Sequence, residues 1–202
     1  MQEKLKYIQV ATKQLHQLVA VPDALIERLH KEVRLVKQPK SSFLEQENDN
    51  YYDGHLWYLV RGVACSATYD ELQDKERPLL LWKKGDIFFQ PASFYEEKDL
   101  QESICLWDDS VLLSLPYHRL KGLLADYPEF QPLLLRLYGL YRHRLAKGRI
   151  VQSYSAAARI SHLLDEYPGI DYTVKQELLA DYLNINRATY NQLYKKVKTG
   201  TS

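Results

Sequence analysis

A chain of 202 residues holds one large domain or two small ones. Its 46% apolar content excludes a disordered chain, and two cysteines, Cys65 and Cys105, are too few for a four-cysteine metal or iron–sulfur site. The formal charge of +1 conceals a division, because residues 130–164 contain no acid but carry Arg136, Arg142, Arg144, Lys147, Arg149 and Arg159, while acids cluster in 45–53, 70–76, 96–102 and 108–109. A basic C-terminal part suits contact with a polyanion. The opening MQEKLKYIQV is no secretory signal, and no apolar run reaches the ~18 residues of a membrane span. A cytoplasmic protein with no membrane partner is expected, its cysteines buried as free thiols.

Residues 3–19 have a helical period, with Leu5, Ile8, Leu15 and Leu18 near one face. Pro22 opens a second short helix, PDALIERLHKEV. From Val33 to Pro116 short β-rich runs alternate with turn material every 8–12 residues or so, the spacing of an antiparallel sandwich or barrel of jelly-roll type. Asp53-Gly54, Arg61-Gly62 and Lys84-Gly85-Asp86 are the expected tight turns. The helical period returns in YHRLKGLLADYPEF. Phe130 to Gln152 then suits a helix of about 23 residues and about 35 Å. Phe130, Leu134, Leu137, Tyr141, Leu145, Gly148 and Val151 recur at steps of three or four, with Leu133, Leu140 and Ile150 as a second row. One side of such a stripe can pack on the sheet domain and the other on a second copy. Leu134, Leu137, Tyr141, Leu145 and Gly148 are the expected dimer interface, Gly148 letting two backbones approach. Ser155–Glu166 reads as a further helix, ended by Pro168-Gly169.

The stretch QELLADYLNINRATYNQLYKKV, Gln176–Val197, reads as two helices joined by a tight turn. Leu179, Leu183, Ile185, Tyr190 and Leu193 form its apolar side, and Ala180 supplies the small side chain of a close crossing. Asn184 can stop the first helix in the left-handed region, and Asn186 can cap the second. No acid follows Asn186. Arg, Asn and Gln read base edges in a major groove, and Lys suits phosphates. The pattern is that of a helix-turn-helix whose recognition helix starts near Arg187.

In this order of elements the chain resembles the cAMP-receptor/FNR (Crp/Fnr) family of bacterial transcription regulators. The likeness is carried by Trp57-Tyr58-Leu59-Val60-Arg61-Gly62, Lys84-Gly85-Asp86-Ile87-Phe88, Asp109-Ser110-Val111-Leu112-Leu113, Tyr127-Pro128-Glu129-Phe130 and Gln176–Lys195. YPEF before a long helix, followed by RISHLLDEYP, looks most like the short-winged regulators of Bacteroidetes-type bacteria. The resemblance implies an α+β chain. Residues 1–126 would form a β-roll of cyclic-nucleotide-binding type with N-terminal helices, 127–152 a dimerisation helix, and 153–202 a helix-turn-helix domain. It implies a homodimer on double-stranded DNA, switched by a small-molecule effector, with RNA polymerase as a further candidate partner. It places Arg187, Ala188 and Gln192 as base readers, with Asn186 capping. Thr189, Asn191, Lys195 and Lys196 become phosphate contacts. Only six residues follow Lys196, too few for the family's two-stranded wing.

The effector loop departs from the family. Cyclic-nucleotide binders hold the phosphate with an arginine there, whereas FFQPASFYEEKDLQESIC has none; no arginine lies between Arg77 and Arg119. Glu96, Glu97, Asp99 and Glu102 would repel a phosphate, and Lys98 is a flexible point charge among them. An effector other than cAMP, or none, is expected. Phe88, Phe94 and Tyr95 are candidates to line an apolar or aromatic pocket. No metal or cofactor is expected, His55 and His118 being the haem-ligand candidates. A scaffold protein of the same fold without DNA contact is the alternative. A jelly-roll enzyme would need a His-x-His metal pair, and the strand region holds only His55.

Overall fold

Period-two alternation along the strands decides which layer each side chain enters. In β3 (His55–Arg61), Trp57 and Leu59 point one way and Tyr58 the other. In β5 (Lys75–Lys83), Leu80 and Trp82 point inward and Leu81 outward. In β7 (Ser103–Leu106), Ile104 and Leu106 point inward and Cys105 outward. The strands are apolar on both sides because both sides are covered. The computed structural model describes residues 2–17 and 22–199, so Leu18 lies outside the described residues.

These strands form two four-stranded antiparallel sheets. The first joins β1 (Arg34–Gln38), β8 (Ser110–Pro116), β3 and β6 (Ile87–Phe88), in that order. The second joins β2 (Phe43–Glu45), β7, β4 (Val63–Asp70) and β5. This is the jelly-roll arrangement expected from the spacing. Trp57, Leu59, Leu80, Trp82, Ile104, Leu106 and Leu112 fill the space between the sheets. Pro78 is tolerated because β5 is an edge strand.

The outer face of the first sheet is covered by α1 (Gln2–His16), α2 (Asp23–Glu32), α4 (Tyr117–Asp126) and the start of α5 (Gln131–Gln152). The outer face of the second sheet meets the C-terminal helices. Cys65, Leu81 and Trp107 share one core with Ile160, Leu163, Ile170, Val174, Leu179 and Tyr190. Those helices are α6 (Ala156–Glu166), α7 (Ile170–Thr173), α8 (Gln176–Tyr182) and α9 (Arg187–Thr199). The short α3 (Pro91–Glu96) interrupts the strands. Among the described residues no helix is long and apolar enough to cross a membrane.

The glycine turns divide. Gly62 and Gly85 have φ of +104° and +90°, which only glycine adopts freely. Gly54 has an ordinary φ of −76° and is small for another reason. A Cβ there would overlap Cε2 of Tyr117, whose ring is fully buried. Gln90 N donates to the Tyr117 hydroxyl at 2.8 Å, so the ring has no room to retreat. Gly54→Ala is expected to cost about 1–3 kcal/mol. Thermal denaturation should show a fall of about 2–4 °C per kcal/mol.

Candidate nucleic-acid interface and effector cleft

The turn between α8 and α9 is built from its two asparagines. Asn184 stands at φ +52°, ending the first helix in the left-handed region. Asn186 Oδ1 accepts from Thr189 N at 2.8 Å, capping the second. Leu179, Ala180, Leu183, Ile185 and Tyr190 are buried beneath the pair. Burial pushes the Tyr190 hydroxyl up to about 12. Arg159 on α6 has a role that composition does not reveal. Its Nη1 donates to the Leu183 carbonyl at 2.5 Å and to Gln152 Oε1 at 2.9 Å, tying the turn to the end of α5. Nothing local in the sequence separates this arginine from its solvent-facing neighbours. At the far end of α9, Asp171 accepts from Tyr194 Oη and Lys198 Nζ, both at 2.7 Å. The hydrogen bond to Lys198 holds the Asp171 carboxyl below its usual range, against the opposing effect of burial.

The outer face of α9 carries Arg187, Ala188, Gln192, Lys195 and Lys196, all exposed, with Asn186 exposed at its start. Thr189 and Asn191 are half-buried, and Asn191 Oδ1 is buried with no hydrogen-bond partner among the described residues. Asn191 therefore faces the domain more than the solvent. Arg187 approaches Glu177 at 3.9 Å, with both side chains mostly in solvent, so the pair holds it weakly.

The expected dimer stripe requires correction. Leu134 and Leu137 are 0% and 6% exposed, inside the core of their own chain. Tyr141 and Leu145 are half-buried against the β-roll core. Gly148 lines a cavity of about 230 Å³ between β5, α5 and α6. All five face inward. The richer of the helix's two apolar rows is the one its own domain buries. The other face exposes Leu135 at 55% and Ile150 at 57%, with exposed Gly139 and Ala146 between them at four- and seven-residue steps. Leu140, 48% exposed, lies at the edge of this face.

The basic back of the chain is partly internal. Arg144 pairs with both oxygens of Asp86, at 2.7 and 3.0 Å, and lies 5.0 Å over the Trp82 ring. Lys147 pairs with Glu166 at 3.0 Å.

The expected aromatic pocket also requires correction. Phe88 is stacked on Trp82 at 4.9 Å, between the sheets. Phe94 packs edge-on against Phe89 and Tyr117, in the other core. Both are 2% exposed, and neither lines a cavity with the other. Tyr95 is partly exposed and packs on Phe94 and Tyr138. A cleft of about 400 Å³ opens instead between α3, the residues just before β7, and α5. Gln90, Pro91, Gln101 and Glu102 form one wall, and Tyr138, Tyr141, Arg142 and Arg149 the other. The loop lacks an arginine, but α5 brings two to the cleft. Glu102, in the first wall, is buried and bonded by the Tyr141 hydroxyl. His55 is held by the Asp53 carbonyl and lies tilted against the Trp57 ring, and burial lowers its imidazole below the usual range. Among the described residues no cluster of three metal-ligating side chains exists.

No protein-family model matches the sequence, and no curated protein sequence does. Solved structures match strongly. The c-di-GMP-responsive global regulator CLP of Xanthomonas campestris aligns at 16% identity and a TM-score of 0.66, over 89% of this chain and 93% of CLP. A putative Crp/Fnr-family regulator of Eubacterium rectale gives 15% identity and 0.71, over 89% and 85%. FixK2 of Bradyrhizobium japonicum gives 12% and 0.70, over 83% and 85%. The chain has the fold of Crp/Fnr transcription regulators, a β-roll followed by a long helix and a helix-turn-helix.

Proposed function

We propose that this protein is a homodimeric, sequence-specific DNA-binding transcription regulator whose effector is not cAMP, or which has none. The observation that carries this reading is the outward row Arg187, Ala188, Gln192, Lys195 and Lys196 on a capped helix with a buried apolar core beneath it. Arg187 can pair bidentately with guanine, Gln192 can pair with adenine, and Ala188 can contact a thymine methyl. Lys195 and Lys196 bind phosphates, with Thr189 as a lesser contact. Two copies joined along the outer face of α5 would offer two such helices about 34 Å apart, one turn of duplex. Residues 1–126, 127–152 and 153–202 serve as effector, dimerisation and DNA-binding parts.

The test is an electrophoretic shift against genomic fragments at several salt concentrations. The expected result is selective retention of some fragments. Lys195 and Lys196 from both copies of a dimer should contribute a slope of about −4 in log K against log salt. A shallow response, equal on all fragments, would instead indicate a scaffold protein of this fold without operator recognition.

A further inference from the structure

Two carboxyl groups lie inside the β-roll with no cation against them among the described residues. Glu45 Oε1 accepts from His55 N at 2.8 Å and Trp57 Nε1 at 2.7 Å, and its Oε2 accepts from Gln90 Nε2 at 2.9 Å. Gln90 Nε2 also donates to the Glu102 carbonyl at 2.8 Å, and its Oε1 accepts from the backbone N–H groups of Gln101 and Glu102. The Glu102 carboxyl accepts from the Tyr141 hydroxyl of α5 and lies near the Ser66 hydroxyl. Ser66 in turn accepts from Trp82 Nε1 at 2.8 Å, and the Trp82 ring lies under Arg144 of α5. One polar network thus starts between the sheets and ends on α5, at Tyr141 and Arg144, three residues apart.

The charged and titratable neighbours come from every surrounding element. Glu47 follows β2, His55 is on β3, Cys65 on β4 and Glu76 on β5, with Tyr117 on α4 and Tyr138, Tyr141 and Arg142 on α5. Arg142 and Arg149 of α5 line the same cleft as Glu102, but among the described residues neither forms an ion pair with Glu45 or Glu102. The cleft borders Glu102 and Tyr141, so water could reach the carboxyl if Tyr141 swung aside.

We propose that Glu102 and Tyr141, with Glu45 behind them, form a proton-operated latch that holds the second half of α5 on the β-roll while the carboxyl pair is protonated and releases it when the pair ionises. Burial raises both carboxyls, Glu45 to about 7, even though the hydrogen bonds from Tyr141 and Trp57 pull the other way. The closed state therefore binds more protons than a state in which water reaches the pair. Rising pH favours opening, by up to about tenfold per pH unit for each proton released, between the ordinary and the raised values. For Glu45 that window runs from the ordinary 4.5 to about 7. The consequence for DNA binding rests on the regulator reading above, since α5 leads into the helix-turn-helix. The latch itself does not.

The test is hydrogen exchange of the full chain between pH 5 and 8, corrected for intrinsic rates. Peptides spanning 141–152 are compared with those of β8. In the unmodified protein, exchange of 141–152 should rise between pH 5 and 7 by up to about tenfold per unit, while β8 stays flat. Tryptophan fluorescence should change over the same interval, because Trp57 and Trp82 both bond into the network. Glu45→Gln and Glu102→Gln should each flatten the slope, and Tyr141→Phe should raise exchange already at pH 5. A flat response of 141–152 in the unmodified protein, or a slope that survives in both glutamine variants, overturns the latch. None of these readouts uses DNA. A protein that retained no genomic fragment would defeat the regulator reading and leave the latch judged on exchange.

Discussion

Leu134→Ala is expected to destabilise the fold by about 2–5 kcal/mol and to leave self-association untouched. Leu134 is fully buried among Leu133, Leu137, Phe130 and Leu120 of its own chain, so the change opens a cavity and removes nothing a second copy could touch. Ile150→Glu should behave in the opposite way. Ile150 is 57% exposed and takes no part in the described cores, so folding stability should move by less than about 0.5 kcal/mol. A carboxylate in each copy would be buried if two copies joined along this face, so the proposed dimer should dissociate. Urea unfolding and sedimentation read the two quantities separately. A dimer that survives Ile150→Glu but not Leu135→Glu would confine the contact to the N-terminal half of α5. Survival in both would remove the outer face from the dimer altogether.

The second large effect falls on recognition. Arg187→Ala should lose about 1–3 kcal/mol on the best operator and relax the preference at one base position. Its guanidinium is held only weakly by the exposed Glu177, at 3.9 Å, and can turn to a base edge. Glu177→Gln is the matching control and should change affinity far less. Lys196→Ala should weaken all sequences alike and make the salt slope shallower by about 1 for each phosphate it no longer neutralises. Titrating one labelled operator and its single-base variants distinguishes the cases. An equal loss on every variant for Arg187→Ala would make it a phosphate contact, and base reading would then rest on Gln192.

The helix-turn-helix was the most legible part of the sequence because its chemistry is local. Asn184 and Asn186 do within three residues what their side chains and backbone allow, and the cap and left-handed turn stand where those residues imply. The jelly roll was legible from strand spacing. The orientation of α5 was not. Both of its faces carry apolar residues at helical steps, and periodicity does not say which face meets the sheet. The cleft was hidden for a related reason. Tyr141 meets Glu102 across 39 residues and Arg144 meets Asp86 across 58, so only the fold brings them together. The cations of the cleft, Arg142 and Arg149, arrive from the helix, and the sequence from Phe88 to Cys105 holds no sign of them. The aromatic character of Phe88 and Phe94 suits a pocket and a core equally, and they belong to two different cores.

Cys65, Leu81 and Trp107, on the outside of the second sheet, have no water-facing life of their own, since the C-terminal helices roof them over. A gene dissected after Gln152 would thus yield two ragged halves, each presenting an oily scar to the solvent. Any displacement of those helices away from the sheet would bring Cys65, Leu81 and Trp107 into water, a cost of about 25 cal/mol for each Å² of apolar surface uncovered.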